Sequence, residues 1–302
     1  MTAKILDGKA VAQEMRAELA AEVAALKERG VIPGLGVLLV GDHPASRSYV
    51  TAKERACEDI GVYSSEVRLP ASASRAEVLK VIAAFNEDAR IHGILVQLPL
   101  PDHSMEQAAI ETVDPVKDVD GFHPLNVGRM LLGLPAFWPC TPHGILCLLQ
   151  RRGVTVAGAH VVVVGRSHIV GRPLANLLSL KSPLGNATVT LCHTSTRRLA
   201  DFTRQADIVV AAAGHPLTVR ADMIRAGAAV VDVGVNRVPD PDAPRGYRLV
   251  GDVDFEAIRE KAGWITPVPG GVGPMTITML LHNTVRAAKA QAGAAERGPA
   301  CA

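Results

Sequence analysis

His160-Val-Val-Val-Val-Gly165-Arg-Ser-His-Ile-Val-Gly171-Arg-Pro173 is the stretch whose reading decides the fold. Four consecutive valines are too apolar and too β-branched for a strand with one wet face. They suit the middle of a parallel sheet covered on both sides. The run stops at Gly165, and a helix-like pattern (Ile169, Val170, Leu174, Leu177, Leu178) starts a few residues later. Strand, glycine turn and helix together form the geometry in which backbone N–H groups and a helix N-terminus receive a phosphate. The spacing Gly165-x5-Gly171 departs from G-x-G-x-x-G, and an ordinary βα turn has the same outline.

Working outward, the same alternation fills the chain on both sides. Upstream, a helix over 8–29 is followed by strand 35–40, helix 46–60, strand 62–69, helix 75–89 and strand 93–98. Downstream, strand 161–164 leads to helix 169–179, strand 187–192, helix 196–205, strand 207–212, helix 220–226 and strand 229–233. Alternation of this kind implies parallel sheets with right-handed crossovers. Pro139-Cys-Thr141-Pro142 marks a boundary, with Thr141 as a cap and Pro142 at the first helical position. The expectation is two α/β domains with a cleft between them: a parallel-sheet domain over 1–139 and a dinucleotide-type domain over 140–275. A last helix, 276–292, packs back on the first domain, and 293–302 forms a flexible tail.

Bulk properties narrow the function. The chain has 302 residues, 48% hydrophobic and 21% charged, with a formal net charge of +2. That balance gives no basic field for nucleic acid, and no apolar run approaches the ~18 residues of a membrane span. Five scattered cysteines do not make a disulfide framework, and the start of the chain has no apolar signal core, so a cytoplasmic setting is expected. Cys140, His143 and Cys147 lack a fourth ligand with convincing spacing, so no metal is expected.

Several residues are candidates for chemistry. No carboxylate follows strand 187–192, where Cys192-His-Thr194-Ser-Thr-Arg-Arg198 offers hydroxyls and guanidinium groups, and Arg166 lies in the glycine turn. These suit the 2′-phosphate of NADP better than a bare ribose 2′-hydroxyl. Tyr49-x-x-x-Lys53 shares one helix face, where a half-buried lysine is pushed toward neutrality; a packed tyrosine and a surface lysine have the same spacing. Gln97 ends a predicted parallel strand, the edge where α/β sheets hold ligands. Asp118 and Asp120 are either turn residues bonding their own backbone or carboxylates aimed into the cleft. Pro267 to Pro274 combines three prolines and three glycines, suiting a rigid loop approached closely by a ligand.

Taken in order, Ser48-Tyr49-Val-Thr-Ala-Lys53, Gly93-Ile-Leu-Val-Gln97-Leu-Pro-Leu-Pro101, Lys117-Asp118-Val-Asp120-Gly-Phe-His-Pro-Leu-Asn126, Cys140-Thr-Pro, Val164–Pro173, Val231-Asp-Val-Gly-Val-Asn236 and Pro267–Thr276 resemble the bifunctional methylenetetrahydrofolate dehydrogenase/cyclohydrolase family over nearly the whole chain. The G-x5-G spacing is that family's form. The resemblance implies a Rossmann-type NADP domain and NADP-dependent oxidation of 5,10-methylenetetrahydrofolate to the 5,10-methenyl cation, followed by hydrolysis to 10-formyltetrahydrofolate. By the same resemblance Lys53 is the key catalytic residue, tuned by Gln97; Tyr49 stacks on the folate and Asp120 holds its pterin end. Gly165, Arg166, Ser167, Thr194 and Val235 fall where the family holds the dinucleotide, and Gly271 and Pro274 where it holds folate. It implies tetrahydrofolate derivatives as substrates and a cytoplasmic homodimer. Ser179–Asn186 is a few residues longer than the common form, and Thr194 stands where serine is common. A two-domain oxidoreductase of the shikimate-dehydrogenase type needs neither the Gln97 nor the Pro267–Pro274 segment, and a non-catalytic binding protein needs neither Lys53 nor Asp120.

Overall fold

In the computed structural model the valine run is an inner strand of a six-stranded, all-parallel sheet. The structure describes residues 2–42, 44–243 and 246–293, and for 44–49 the backbone alone. Tyr49 is therefore described only as a position on its helix, and 294–302 of the expected tail lie outside the described residues.

Along the chain, β1 (Lys4–Ile5) and α1 (Gly8–Glu28) precede β2 (Gly34–Val40), α2 (Pro44–Ile60), β3 (Tyr63–Leu69), α3 (Arg75–Glu87) and β4 (Gly93–Val96). Two short helices, α4 (Glu106–Thr112) and α5 (Pro124–Leu131), lead to α6 (Cys140–Arg151). Then come β5 (His160–Val164), α7 (Gly171–Ser179), β6 (Thr188–Cys192), α8 (Leu199–Thr203), β7 (Ile208–Ala211) and β8 (Ala229–Asp232). The hairpin β9 (Asn236–Pro239) and β10 (Tyr247–Val250), α9 (Phe255–Arg259), β11 (Trp264–Ile265) and α10 (Val272–Gln291) complete the order.

The chain divides into two units: Met1–Ala12 with Thr141–Thr276, and Gln13–Cys140 with the segment that starts at Ile277. The first twelve residues, expected with the N-terminal domain, belong instead with the dinucleotide-type sheet. The reason is pairing: Lys4 and Ile5 lie parallel to Trp264 and Ile265 and extend that sheet by a strand.

In the three-stranded unit the order is β3-β2-β4, all parallel. Every residue of β2 is buried, which is why Gly-Leu-Gly-Val-Leu-Leu-Val shows no polar alternation. The helix α3 begins with a capping box between Ser74 and Glu77 and buries Val78, Ile82 and Phe85 on one stripe against Leu38, Ile94 and Val96. Each such side chain contributes about 1.5–3 kcal/mol of hydrophobic burial. Gly36 lies close under the Phe85 ring: a Cβ there would stand 3.0 Å from it and press the ring outward by a few tenths of an ångström.

In the six-stranded unit the order is β1-β11-β8-β7-β5-β6. The chain runs from β5 outward to β6, then returns to β7 on the other side of β5. The carboxyl ends of β5 and β7 thus flank a topological switch point, where open α/β sheets place ligands.

Several expected boundaries move. Strand β4 stops at Val96, with Gln97 leaving it and Leu98–Pro99 in the cis form. Helix α7 starts at Gly171, so Ile169 is outside it and 43% exposed. Helix 196–205 shrinks to Leu199–Thr203 because Arg198 is left-handed at φ 56°. The stretch 220–226 holds only a 3₁₀ turn at Ala221–Met223. Helix α6 begins at Cys140, so Thr141 is not its cap and instead meets the Thr276 hydroxyl at 2.9 Å. Helix α10 begins at Val272 rather than Thr276, with Pro274 in its first turn, where no N–H partner is needed.

Candidate active site

In the three-stranded unit, α2 follows the carboxyl end of β2 and carries Lys53, which is only 8% exposed. Its Nζ donates to Gln97 Oε1 at 3.0 Å. Gln97 comes directly after β4, and its Nε2 donates to the Leu98 carbonyl at 2.8 Å, which turns the amide oxygen toward the lysine. Asp120 lies close enough for charge to act both ways. Burial pulls the Lys53 ammonium below its ordinary value while Asp120 resists. Burial lifts the Asp120 carboxyl while Lys53 and the Cys140 thiol hold it down. The structure thus brings Lys53, Gln97 and Asp120 together, and Tyr49 lies one helical turn before Lys53 on α2.

Cys140 is a fourth member, which the sequence offered as part of a boundary, as a rejected metal ligand and within a family motif, but not as a site residue. It is 1% exposed, its Sγ donates to the Val119 carbonyl at 3.4 Å, and burial beside Asp120 keeps the thiol protonated, far above its ordinary range. The Cys140-Thr-Pro motif was its signal.

The loop that delivers Asp120 is built by its neighbours. Lys117 donates through Nζ to the carbonyls of Phe85, Asn86 and Asp88 at 3.2, 2.8 and 3.0 Å, closing the C-terminal end of α3 with a positive charge. Asp118 is the turn residue of the two acids. It accepts from the Gly121, Phe122 and His123 amides and from Asn126 Nδ2, at 3.1, 3.1, 2.9 and 2.8 Å. Burial nevertheless lifts its carboxyl to about 7. Gly121, at φ 75°, lets this turn lie against 138–139, since a Cβ would sit 2.6 Å from the Pro139 nitrogen.

In the six-stranded unit, the glycine spacing has a steric cause. Gly165 has φ 131°, and a Cβ on it would lie 2.0 Å from the Ala212 carbonyl; one on Gly171 would lie 2.0 Å from the Gly165 carbonyl. Strand end, turn and helix start therefore touch through backbone alone. Ser167 Oγ accepts from the Val170 and Gly171 amides at 3.1 and 3.4 Å, capping an α7 whose own N-cap residue supplies no side-chain bond. Arg166 and Thr194 are exposed, and Val235 is 48% exposed. After β6, Arg198 pairs with Asp201 at 2.7 Å, while Arg166 makes no ion pair with another described residue. A carboxylate-free strand end beside exposed Arg166 and Thr194 fits a phosphorylated ribose.

Two acids there went unread in the sequence. Asp252, fully buried, accepts from the Ala213 and Gly214 amides at 2.7 and 2.8 Å and from Asn236 Nδ2 at 2.9 Å. Asp232 accepts from the amides of Gly234, Asp252 and Val253. Together they fix the loops after β7 and β8. The motif containing Asp232 is among those quoted above, but an acceptor for distant amides leaves no local pattern.

Gly271 and Pro274 lie in this unit, apart from the Lys53 group by unit. Gly271 is buried: its N–H donates to the Pro267 carbonyl at 2.9 Å, and a Cβ would come within 2.7 Å of that oxygen. Among the described residues, no three His, Cys, Asp or Glu side chains are arranged to hold a metal ion. No helix among them is long and apolar enough to cross a membrane.

Residues 6–120 match the catalytic domain of the tetrahydrofolate dehydrogenase/cyclohydrolase family, and residues 139–292 match its NAD(P)-binding domain. The chain is 56% identical over 289 residues to the bifunctional protein FolD of Moorella thermoacetica, a match covering 96% of this chain and 100% of that protein. It is similar to the crystal structure of the bifunctional enzyme FolD, methylenetetrahydrofolate dehydrogenase/cyclohydrolase, from Campylobacter jejuni, with 47% identity, TM-score 0.89 and coverage of 95% and 99% of the two chains. For the Trypanosoma brucei enzyme, solved with NADP and an inhibitor, the values are 42%, 0.92, 97% and 99%. With both units matched and the likeness running nearly end to end, the chain belongs to the tetrahydrofolate dehydrogenase/cyclohydrolase family.

Proposed function

We propose that this chain oxidises 5,10-methylenetetrahydrofolate to the 5,10-methenyl cation with NADP, then hydrolyses that cation to 10-formyltetrahydrofolate. The observation that carries the reading is the Lys53–Gln97–Asp120 group around a buried Lys53, in a chain of this family. When bound, NADP supplies the acceptor for the hydride that leaves the one-carbon unit.

The chain's own residues do the rest. In the first step their task is orientation, since bringing two bound reactants into line accounts for much of such a barrier. Tyr49 stacks on the folate and Asp120 holds the pterin end, with Gly271 and Pro274 also on the folate side. In the second step a neutral lysine is needed. Burial favours that form, and Gln97 Oε1 accepts one Lys53 N–H so that the nitrogen lone pair is oriented. Lys53 takes a proton from water as the oxygen bonds to the methenyl carbon. The bond from that carbon to N5 then breaks with its electron pair going to N5, the hydroxyl proton of the carbinol is given up as N5 gains one, and the formyl group stays on N10.

Gly165 and Ser167, in the turn between β5 and α7, would hold the pyrophosphate. Arg166 and Thr194 receive the 2′-phosphate, and Val235 offers apolar surface to the dinucleotide. The same reading includes a homodimer working in the cytoplasm. The deciding experiment is a spectrophotometric assay of the purified protein with methylenetetrahydrofolate, with NADP and NAD in separate cuvettes. NADPH formation followed by loss of methenyl absorbance is expected; folded protein inert with both cofactors would overturn the reading.

A further inference from the structure

Asn283 is a polar residue in the apolar stretch Met279-Leu-Leu-His-Asn283 of α10, and it is fully buried. A primary amide in such a place is costly unless its hydrogens are used. Here Nδ2 donates to the Val119 carbonyl at 2.8 Å and to the Trp138 carbonyl at 3.2 Å, and lies 3.8 Å from Cys140 Sγ. Two carbonyl acceptors on one side fix which way the amide points. The Val119 carbonyl belongs to the peptide that leads into Asp120, and Trp138 lies two residues before Cys140. Cys140 Sγ itself donates to that same Val119 oxygen. One side chain, 164 residues from Val119 in sequence, therefore joins the two strands of chain that present Asp120 and Cys140.

We propose that Asn283 is a positioning residue of the active site, holding the Asp120 peptide against the Trp138–Cys140 segment so that the Asp120 carboxylate stays beside Lys53. This rests on the roles given above to Lys53 and Asp120. It assigns Asn283 no contact with substrate, and its effect passes through Asp120.

The groups that face Lys53 are Asp120, Cys140 and Cys57, and burial keeps both thiols protonated, that of Cys57 pushed up to about 12. Asp120 is thus the charge that displacement of the loop would move. The test measures cyclohydrolase kcat and KM across pH for Asn283→Ala and Asn283→Ser, with Asp120→Asn and Lys53→Met in parallel and thermal unfolding alongside. Asn283→Ala is expected to lower kcat/KM about ten- to a hundredfold, the order found when an aligned group is misplaced by about 1 Å. Its acid limb should move to lower pH, as in Asp120→Asn, because less negative charge beside Lys53 weakens its hold on the proton. Asn283→Ser keeps one donor and should fall between. A wild-type acid limb in Asn283→Ala, whatever its melting temperature, overturns the inference and leaves only a structural role; so does failure of both variants to fold. Full activity in Lys53→Met and Asp120→Asn is a different pattern, and would bring down the site reading itself.

Discussion

Replacing Lys117 with methionine isolates how much of the Asp120 loop rests on one ammonium. Methionine keeps most of the stem and removes the donor. The Phe85 carbonyl is the buried acceptor of the three, so stranding it costs the full ~1–3 kcal/mol of an unpaired group. The Asn86 carbonyl is partly buried and can recruit water, which reduces its share to roughly 0.5–1.5 kcal/mol. Asp88 loses least, because its carbonyl also accepts from the Ile91 amide at 3.0 Å. Loss of a positive charge at the end of α3 adds about 0.3–1 kcal/mol. Against these stands the relief of no longer burying an ammonium, whose pKa is lowered by burial first. The balance is a destabilisation of about 2–4 kcal/mol, which is a large part of a typical domain's stability. With two units in the chain, global unfolding is a poor assay. Hydrogen exchange read on peptides covering α3 and 114–122 is local, and protection should fall there by about thirtyfold or more, since 1.4 kcal/mol is a factor of ten. The KM for the folate substrate should rise in parallel, because Asp120 lies three residues on. Exchange accelerated by less than a few-fold over wild type, with normal KM, would show that the loop holds itself and that this bookkeeping of carbonyls is wrong.

Arg166→Ala should reduce kcat/KM with NADP by about ten- to a hundredfold, the equivalent of one charge-assisted bond of ~1.5–3 kcal/mol, and leave the NAD reaction unchanged. An unaltered NADP-to-NAD ratio refutes the assignment of the 2′-phosphate. Gly251→Ala should unfold or severely destabilise the six-stranded unit, since its Cβ would stand 1.7 Å from Asp232 Oδ2 and push that carboxylate off three amides. More than about 3 kcal/mol is expected for a buried clash with stranded donors. Gly128→Ala is the control: in α5 a Cβ there meets nothing within 4 Å, and melting should stay level or rise slightly.

What could be read in the sequence, and what could not, divides by how far apart the partners lie. The four valines of β5 and the apolar β2 announce a two-sided environment residue by residue, so both parallel sheets were legible. Element ends were less so. The starts of α7 and α10 depend on Gly165, Gly171 and Gly271 meeting backbone elsewhere, and periodicity reports the inside of a helix rather than what stops it. The two-residue strands β1 and β11 carry no pattern, and their pairing took the first twelve residues away from the domain next to them in sequence. The site shows the same division. Tyr49 and Lys53 share a helix, and their spacing is visible; the bond from Lys53 to Gln97 spans 44 positions and was suggested by the family resemblance and by a polar residue at a strand end. Spacing alone could not tell Asp118 from Asp120; the family resemblance chose Asp120, and the four donors around Asp118 make that residue the acid of the turn. A buried hydrogen bond between distant residues leaves only one trace in a sequence: a polar side chain where an apolar one would be cheaper. Gln97 was recognised by that trace. Lys117 and Asn283 bear it equally, and each holds a carbonyl that the loop carrying Asp120 depends on.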